Sequence, residues 1–422
     1  MSNSHGSKKK SEGFFSIDRG AFRCAAVGGL NSAIANLILA RGTGPDNVTT
    51  QWSVNAIEQR TGISRPNADK AVKDLLARGI WKKTRDGLHP IYEAVPGNQV
   101  PGGPFTAEEQ AVITAIRDGQ PVYNSKATIE ALKARGIVET VSTEERRGRR
   151  WHNSESFELV ADEITALSEP LAVWLPNALI DGAANEVPSI ELIRQTRNLP
   201  ALRLLVELYA AQFLPHYGGV PRDLLKVVFN RTKVGEQGPF VVWGFRSDHI
   251  TAASELYAPF KTGEVTTLDD GKRRDTGVDA SFWPALSALE NLGLVEKVGM
   301  LLDGDDVDAE VIHPYAMRGG ERAERELALA AKSAAQAMIT EGQLNWAEQE
   351  GYHLVPVRRH IVNAAVAEVY RLKYRPHTKA TAAWYALMME ATARHLGEYQ
   401  AMTKGAAGAA ISAAEGRLQY QG

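Results

Sequence analysis

The chain has a single cysteine and no long hydrophobic run, and each shortage excludes a class of protein. Cys24 has no partner among the 422 residues, so an internal disulfide and a zinc site built from several cysteines are both excluded. No run of about 18 apolar residues is present, and the polar N-terminus lacks the apolar segment of a secretory signal. We therefore expect a cytoplasmic protein without a membrane partner.

An excess of charge of one sign is also missing. The formal net charge is −2, from 48 Lys and Arg against 50 Asp and Glu, so the protein is not basic as a whole. The charges are segregated, however, because residues 56–85 carry eight Lys and Arg against three acids, and residues 357–379 carry six against one. Such segregation predicts basic surfaces that the whole-chain charge averages away.

The usual signatures of catalysis and cofactor binding are absent from the sequence. There is no Gly-x-x-x-x-Gly-Lys-[Ser/Thr] loop, no Gly-x-Gly-x-x-Gly turn and no His-Glu-x-x-His motif. The Asp-rich segment 303–310 lacks the glycine and the late glutamate of a calcium loop. We expect no enzyme, no cofactor and no metal, although a nuclease or recombinase with scattered carboxylates is left open.

The basic segment 56–85 contains a pattern of two short helices. Ser53 precedes an apolar-periodic segment that stops at Gly62, and Ser64 begins a second one that Gly79 ends. The apolar stripe of the second helix consists of Ala68, Ala71, Val72, Leu75 and Leu76. Arg85-Asp86-Gly87 then predicts the turn of a β-hairpin. Helix, three-residue turn, helix and hairpin is the order of a winged helix-turn-helix.

Over residues 21–96, approximately, the sequence resembles the winged helix-turn-helix DNA-binding superfamily, in particular the gluconate-repressor and multiple-antibiotic-resistance-repressor types. The matching residues are Ile57, Gly62, Ile63, Ser64, Arg65, Ala68, Ala71, Val72, Leu75, Gly79 and Ile80. The resemblance implies that the second helix enters the major groove of double-stranded DNA. Gluconate-type repressors carry a ligand-sensing domain after this module, and nothing after Val95 looks like one.

The polar side of the second helix carries side chains suited to DNA. The residues expected to read base edges are Arg65, Asn67 and Lys70, because Arg matches guanine and Asn matches adenine. Phosphate contacts are expected from Ser64, Lys73, Lys82, Lys83 and Arg85. The alternative is a solvated face that packs against protein, since Asp69 and Asp74 dilute its charge.

A second, smaller winged-helix-like module is expected at 105–165. The pattern Leu-x-x-x-Gly-[Ile/Leu]-[Trp/Val] occurs at Leu75, Leu132 and Leu289, and each copy predicts a helix end followed by a strand. The second module opens with a capping box at 106–109. The tip of its predicted wing carries Arg146, Arg147, Arg149 and Arg150. These arginines are expected to enter a minor groove, and a solubilising loop is the alternative because Glu144 and Glu145 lie beside them.

A third, divergent winged-helix-like module with an insertion is expected at 185–318. Phosphate would repel its acidic wing tip, so we expect a protein partner there. Residues 319–403 are predicted to be helical throughout, including the basic segment 357–375, which would bind phosphate or mediate oligomerisation. Residues 1–15 are predicted to be a disordered polar tail, and residues 404–422 a frayed low-complexity tail.

These patterns together predict a mainly α protein with short β-hairpin wings, in which tandem winged-helix modules precede an all-helical C-terminal region. Residues 16–96 would be the DNA-binding domain of a nucleoid-associated transcriptional regulator from a bacterial or mobile-element system. A replication or mobilisation initiator of a plasmid, phage or integrative element is the first alternative, and a non-specific chromatin-like binder is the second. Double-stranded DNA is the expected partner, and homo-oligomerisation is left open.

Overall fold

A computed structural model gives the fold of most of the chain. It describes residues 13–87, 89–96, 107–117, 120, 122, 126–134, 138–147, 150–159, 172–183, 186–213, 218–253, 256, 260, 266–267, 273–274, 281–306, 309–316, 319–375 and 379–419. Residues 1–12 of the predicted disordered tail at 1–15 lie outside these residues, as do Thr106 of the capping box and Gly148 and Arg149 of the second wing. Phe14 and Phe15, which the prediction placed in that tail, belong to a β-strand.

Helices and strands alternate irregularly along the chain. The described helices are α1 (Arg19–Val27), α2 (Leu30–Arg41), α3 (Val54–Thr61), α4 (Arg65–Ala77), α5 (Ala107–Arg117), α6 (Lys126–Ala134), α7 (Ala178–Asp181), α8 (Ser189–Thr196), α9 (Leu199–Ala211), α10 (Phe282–Asn291), α11 (Arg322–Gln336), α12 (Glu341–Gln349) and α13 (Lys379–Gln419). The described strands are β1 (Phe14–Asp18), β2 (Thr49–Thr50), β3 (Trp81–Arg85), β4 (Ile91–Ala94), β5 (Val138–Arg147), β6 (Arg150–Leu159), β7 (Ala172–Pro176), β8 (Leu225–Gln237), β9 (Phe240–Ala252), β10 (Thr266–Thr267), β11 (Arg273–Arg274), β12 (Val295–Leu302), β13 (Val311–Pro314), β14 (His353–Arg358) and β15 (Ala365–Leu372).

The chain forms two compact units, and each draws on separate parts of the sequence. Unit 1 consists of residues 1–211 and 253–294, and unit 2 consists of residues 212–252 and 295–422. The expected modules therefore have different boundaries from the units. In particular, the segment 185–318 divides between them, with α8, α9 and α10 in unit 1 and the strands β8, β9, β12 and β13 in unit 2.

The predicted helix, turn, helix and hairpin are present in unit 1. Ser53 and Ser64 occupy the N-cap positions of α3 and α4, although neither side chain makes a capping hydrogen bond within the described residues. Gly62 ends α3 with a φ of 62°, and Gly79 follows α4 with a φ of 67°. These left-handed conformations suit glycine, which explains the two abrupt helix ends. β3 and β4 form an antiparallel hairpin, and β2 joins it in the order β2-β4-β3.

The second predicted helix pair and hairpin also form in unit 1. α5 and α6 precede the antiparallel pair β5 and β6, whose register runs from Val138 opposite Leu159 to Arg147 opposite Arg150. A small core consists of Val112, Ile113, Ile129, Leu132 and Val138. The predicted wing is thus a long pair of antiparallel strands.

A buried charge cluster joins α1 to α9 in unit 1. The Glu207 carboxylate accepts hydrogen bonds from Nε of Arg23 at 2.8 Å and from Nε of Arg19 at 2.7 Å. Burial alone would raise the pKa of Glu207, but the positive charges and hydrogen bonds of the two arginines outweigh it and lower the pKa to about 2. The cluster therefore holds an ionised carboxylate inside the unit.

Unit 2 shows that the predicted fold class is wrong. Its centre is a six-stranded antiparallel sheet in the order β13-β12-β15-β8-β9-β14, so the protein is mixed α and β rather than mainly α with hairpin wings. The C-terminal region is not all-helical, because β14 and β15 occupy the middle of the segment that we expected to be a helix. The predicted third wing, β12 with β13, is the edge of this sheet.

The prediction of a helix where β15 lies failed for a physical reason. Every residue of β15 is buried: Val366 belongs to one core cluster, and Ala365, Ala367 and Val369 belong to another. A strand that is buried on both faces has no polar alternation, so its apolar residues also match a helical stripe.

The segment 357–375, which we expected to bind phosphate or mediate oligomerisation, has one of its basic side chains buried inside unit 2. Arg371 is completely buried and donates to the Glu324 carboxylate of α11 at 2.8 and 2.9 Å. Because this guanidinium is inside the protein, it is not a phosphate-binding group at a surface. α13 continues to Gln419, well past the start of the expected frayed tail at 404.

We expect Glu207→Ala to destabilise unit 1 by about 3–5 kcal/mol, because Arg19 and Arg23 would lose their buried counter-charge. The folded pKa of Glu207 is depressed from 4.5 to about 2, so its contribution is complete above pH 4.5 and disappears as the pH falls toward 2. Amide hydrogen exchange in α1 and α9, followed against pH, measures both effects.

The control is Glu93→Ala, which removes an exposed glutamate from β4 of the same unit. This variant should retain the exchange rates of the parent protein in α1 and α9. Equal protection in the parent and in Glu207→Ala at neutral pH would contradict a stabilising role for the cluster.

Candidate nucleic-acid interface

Helix α4 separates an apolar side from a polar side. Ala68, Ala71, Val72 and Leu75 are buried, whereas Leu76 is only partly buried. The opposite side carries the residues that the sequence assigned to DNA, and all of them are exposed: Ser64, Arg65, Asn67, Lys70 and Lys73. Because the helical repeat is 3.6 residues, the buried stripe fixes which side chains face outward. The polar face is therefore available to a partner.

The two acids of α4 are engaged in ion pairs along the helix. Asp69 binds Lys73 at 2.7 Å, and Asp74 binds Arg78 at 3.0 Å. Lys70 has no ion-pair partner among the described residues. The two acids therefore oppose the positive charge that the polar face offers to DNA less than the sequence indicated. Surface pairs of this kind contribute little, and the Lys73 side chain is 73% exposed, so it can exchange its partner for a phosphate.

The start of α4 is held by a hydrogen bond to α3. Nη1 of Arg65 donates to Oδ1 of Asn55 at 2.8 Å, and both residues are exposed. This contact uses one of the five guanidinium N–H groups and leaves the others free to bind a base edge. Asn55 thus positions the Arg65 side chain. The sequence did not predict this role, because no local pattern links Asn55 to Arg65.

The hairpin of β3 and β4 carries the second group of predicted residues. Lys82, Lys83 and Arg85 are exposed along β3. Lys83 pairs with Asp86, whose hydrogen bond raises the pKa of the lysine. Nε and Nη2 of Arg85 donate to the carbonyl oxygen of His89 at 3.0 and 2.9 Å, so this side chain closes the hairpin loop.

A polar cleft of about 590 Å³ lies beside α4 and contains groups that the sequence did not connect. Asn67 and Lys70 line one wall, the start of α2 lines another, and Arg194 and Arg197 of the α8 region complete it. Arg194 is paired with Glu191 at 2.6 Å, whereas Arg197 is exposed. More than a hundred residues separate α4 from α8, so no local pattern predicts this cleft.

The first turn of α2 adds partial positive charge to the cleft. Its N-cap is Gly29, which has no side chain to cap the helix, and the first N–H groups of a helix have no intrahelical acceptor. Gly28 allows the close approach of this corner to α4, because a Cβ at position 28 would lie 1.9 Å from the Asp74 carboxylate.

Two anchors hold these elements in place. Nε1 of Trp81, at the start of β3, donates to Oδ1 of Asn36 in α2 at 2.8 Å, and both residues are buried. Asp181 of α7 binds Arg41 of α2 at 2.6 Å and Arg60 of α3 at 3.5 Å. The hairpin and α3 are therefore both fixed to the unit that presents α4.

Other predicted residues are not brought to α4 by any described contact. Arg146, Arg147 and Arg150 belong to the β5–β6 hairpin, and the described residues do not include their side-chain positions. Arg149 lies outside the described residues. Asp305 and Asp306 are exposed at the turn between β12 and β13 in unit 2, and a protein partner there stays a prediction.

Among the described residues, no group of three or more His, Cys, Asp or Glu side chains is placed to hold a metal ion. No described helix has both the length and the apolar character needed to cross a bilayer. In comparisons with known proteins, no family model, no curated protein and no solved structure matches the chain.

Proposed function

We propose that this protein binds double-stranded DNA sequence-specifically through α4 and acts as a transcriptional regulator. One observation carries the proposal: the side chains of α4 that are suited to DNA are exposed, while its apolar side is buried. Arg65 and Asn67 occupy the first turn, which is the part of a recognition helix that reaches base edges. Their side chains match guanine and adenine respectively.

The surrounding elements support a winged helix-turn-helix mode of binding. The order α2, β2, α3, α4, β3, β4 places a hairpin directly after the proposed recognition helix. α4 has 13 residues and is therefore about 20 Å long, and the major groove is about 12 Å wide and admits one helix. Lys82 and Lys83 on the hairpin would meet the phosphates beside the groove.

The cleft beside α4 supplies a second phosphate contact in this proposal. Arg197 contributes a full positive charge, and the uncapped start of α2 contributes N–H donors. A phosphate at a helix N-terminus is favoured by both the donors and the helix dipole. Contacts on two sides of α4 would fix its orientation in the groove without reading sequence.

An initiator that grips repeated origin sites is the second candidate function. It is favoured by the second set of two helices and a hairpin, α5, α6, β5 and β6, in the same unit as α4. A regulator dimer would protect two half-sites about one helical turn apart, whereas a tandem binder would protect longer repeated sites. Selection of bound duplexes from a random pool, followed by footprinting, separates these functions from non-specific binding.

We expect Arg65→Ala to weaken binding to the selected duplex by about 1–3 kcal/mol and to relax preference at one base pair. The reason is that the guanidinium would lose its hydrogen bonds to a base edge. Fluorescence anisotropy with the selected duplex and its single-base variants measures the loss.

Arg322→Ala is the matched control, because Arg322 is an exposed arginine of unit 2 whose side chain is 87% exposed and paired with Glu326. It should bind like the parent protein. Equal losses on selected and random DNA for Arg65→Ala would reduce Arg65 to a phosphate contact and remove base reading by that residue.

We expect the pair Lys82→Gln and Arg197→Asn to lower the slope of log K against log salt by roughly 0.9 for each phosphate that the variant no longer neutralises. Asparagine is chosen because Arg197 has a φ of 54°, a conformation that asparagine tolerates. The affinity should fall equally for selected and random duplexes.

Lys332→Gln serves as the control for this pair, since it removes an exposed lysine of α11 in unit 2. An unchanged salt slope in the double variant would exclude both the hairpin lysine and the cleft from the DNA interface.

A further inference from the structure

Helix α13 has one side inside unit 2 and the opposite side exposed. Met388, Thr392 and Tyr399 are buried, and Tyr399 belongs to a core cluster that also contains Leu327 of α11. The opposite side, which we call the open face, consists of Glu390, Ala393, Arg394, Gly397, Ala401 and Lys404, all of them exposed. Because an α-helix has 3.6 residues per turn, these residues lie together on one face, away from the buried stripe.

Gly397 lies at the centre of the open face, and no contact in the described part of the chain explains it. α13 runs from Lys379 to Gln419, so Gly397 is deep inside the helix, where only proline is less favourable than glycine. A Cβ at position 397 would meet no neighbouring atom within 4 Å. A side chain would therefore fit there and would favour the helix. Glycine is expected instead where another backbone approaches closely.

Two opposite charges lie at equal distances from Gly397 on the open face. Glu390 precedes Gly397 by seven residues, and Lys404 follows it by seven residues. Seven residues are almost two helical turns, so both side chains lie nearly in line with Gly397, about 10 Å from it along the helix axis. Both are exposed, and neither has an ion-pair partner among the described residues.

We propose that the open face of α13 binds the same face of a second copy of this chain. The two helices run antiparallel, and the two-fold axis passes beside Gly397. The symmetry then places Glu390 of each copy opposite Lys404 of the other, so that the contact contains two complementary charge pairs. The small residues Ala393 and Ala401 lie between the charges and the axis, and the missing side chain at position 397 lets the two backbones approach.

Charge decides the direction of the two helices. A parallel pair would place Glu390 against Glu390 and Lys404 against Lys404, and such like-charge contacts are unfavourable. The antiparallel pair also aligns most of the helix with its copy, because α13 begins 18 residues before Gly397 and ends 22 residues after it. Leu387 and Met389, which are 66% and 46% exposed, flank the open face, so association would also remove apolar surface from water.

Sedimentation equilibrium of the full chain, over a range of protein concentrations, tests the proposal. We expect a reversible dimer with a dissociation constant on the order of 10 μM, because a single helix pair is smaller than a standard protein interface. No DNA is present in this experiment, so its outcome does not depend on the proposed function.

Gly397→Leu tests the close approach of the two backbones. The leucine side chain would separate the helices, so we expect the dissociation constant to rise at least about tenfold. The helix should persist in far-UV circular dichroism, because leucine favours helix more than glycine does. Gly342→Leu is the matched control: Gly342 is an exposed glycine of α12 where a Cβ also meets no atom within 4 Å, and its replacement should leave the dimer unchanged.

Charge reversal tests the antiparallel register. Glu390→Lys and Lys404→Glu should each raise the dissociation constant about tenfold, because each creates two like-charge contacts. The double variant restores opposite charges and should dimerise within about threefold of the parent protein. Glu348→Lys, which reverses an exposed glutamate of α12, is the control for the change in net charge and should dimerise like the parent.

The proposal is overturned if the full chain remains a single chain at about 200 μM, roughly twentyfold above the expected dissociation constant. A dimer that Gly397→Leu does not weaken would also overturn it, because the contact would then lie elsewhere on the protein. Failure of the double variant to recover the affinity lost in the single reversals would exclude the antiparallel pairing of Glu390 with Lys404.

Discussion

The hydrogen bond between the Trp81 indole and the Asn36 amide is the contact on which the candidate DNA interface depends. It joins the base of the hairpin to α2, and both partners are buried. It thereby sets the position of Lys82 and Lys83 relative to the helices that support α4. The candidate DNA interface therefore depends on a single polar contact inside an apolar setting.

Local charge pairing explains how a chain with a net charge of −2 presents a face suited to phosphate. Asp69 and Asp74 pair with Lys73 and Arg78 along α4, while Lys70 and Arg65 keep N–H donors that have no partner in the described part of the chain. The buried charges serve a different purpose. Glu207 and Glu324 each bind arginine inside a unit, and such pairs stabilise packing without adding to a surface. Counting charges along the sequence cannot separate these two kinds, because only burial distinguishes them.

Signals confined to a few neighbouring residues predicted their elements correctly. Gly62 and Gly79 take the left-handed conformations expected of helix ends, and the order of α3, α4 and the hairpin follows the sequence pattern. The sheet of unit 2 was missed because β15 is buried on both faces and lacks alternation. The contact of Arg371 with Glu324 and the cleft that includes Arg197 join residues distant in sequence. No single-sequence pattern records such contacts, so the fold class and much of the surroundings of the candidate site were beyond prediction.

In the proposed complex, the exposed side of α4 lies against base pairs. Photocrosslinking from position 67 tests this placement, with a photoreactive side chain in place of Asn67 and a duplex selected by the unmodified protein. We expect crosslinks to bases in the major groove from position 67, and far fewer from the same group at Ala77, which is exposed at the other end of α4. Crosslinks from position 67 that reach only protein, or that do not distinguish selected from random duplex, would contradict it.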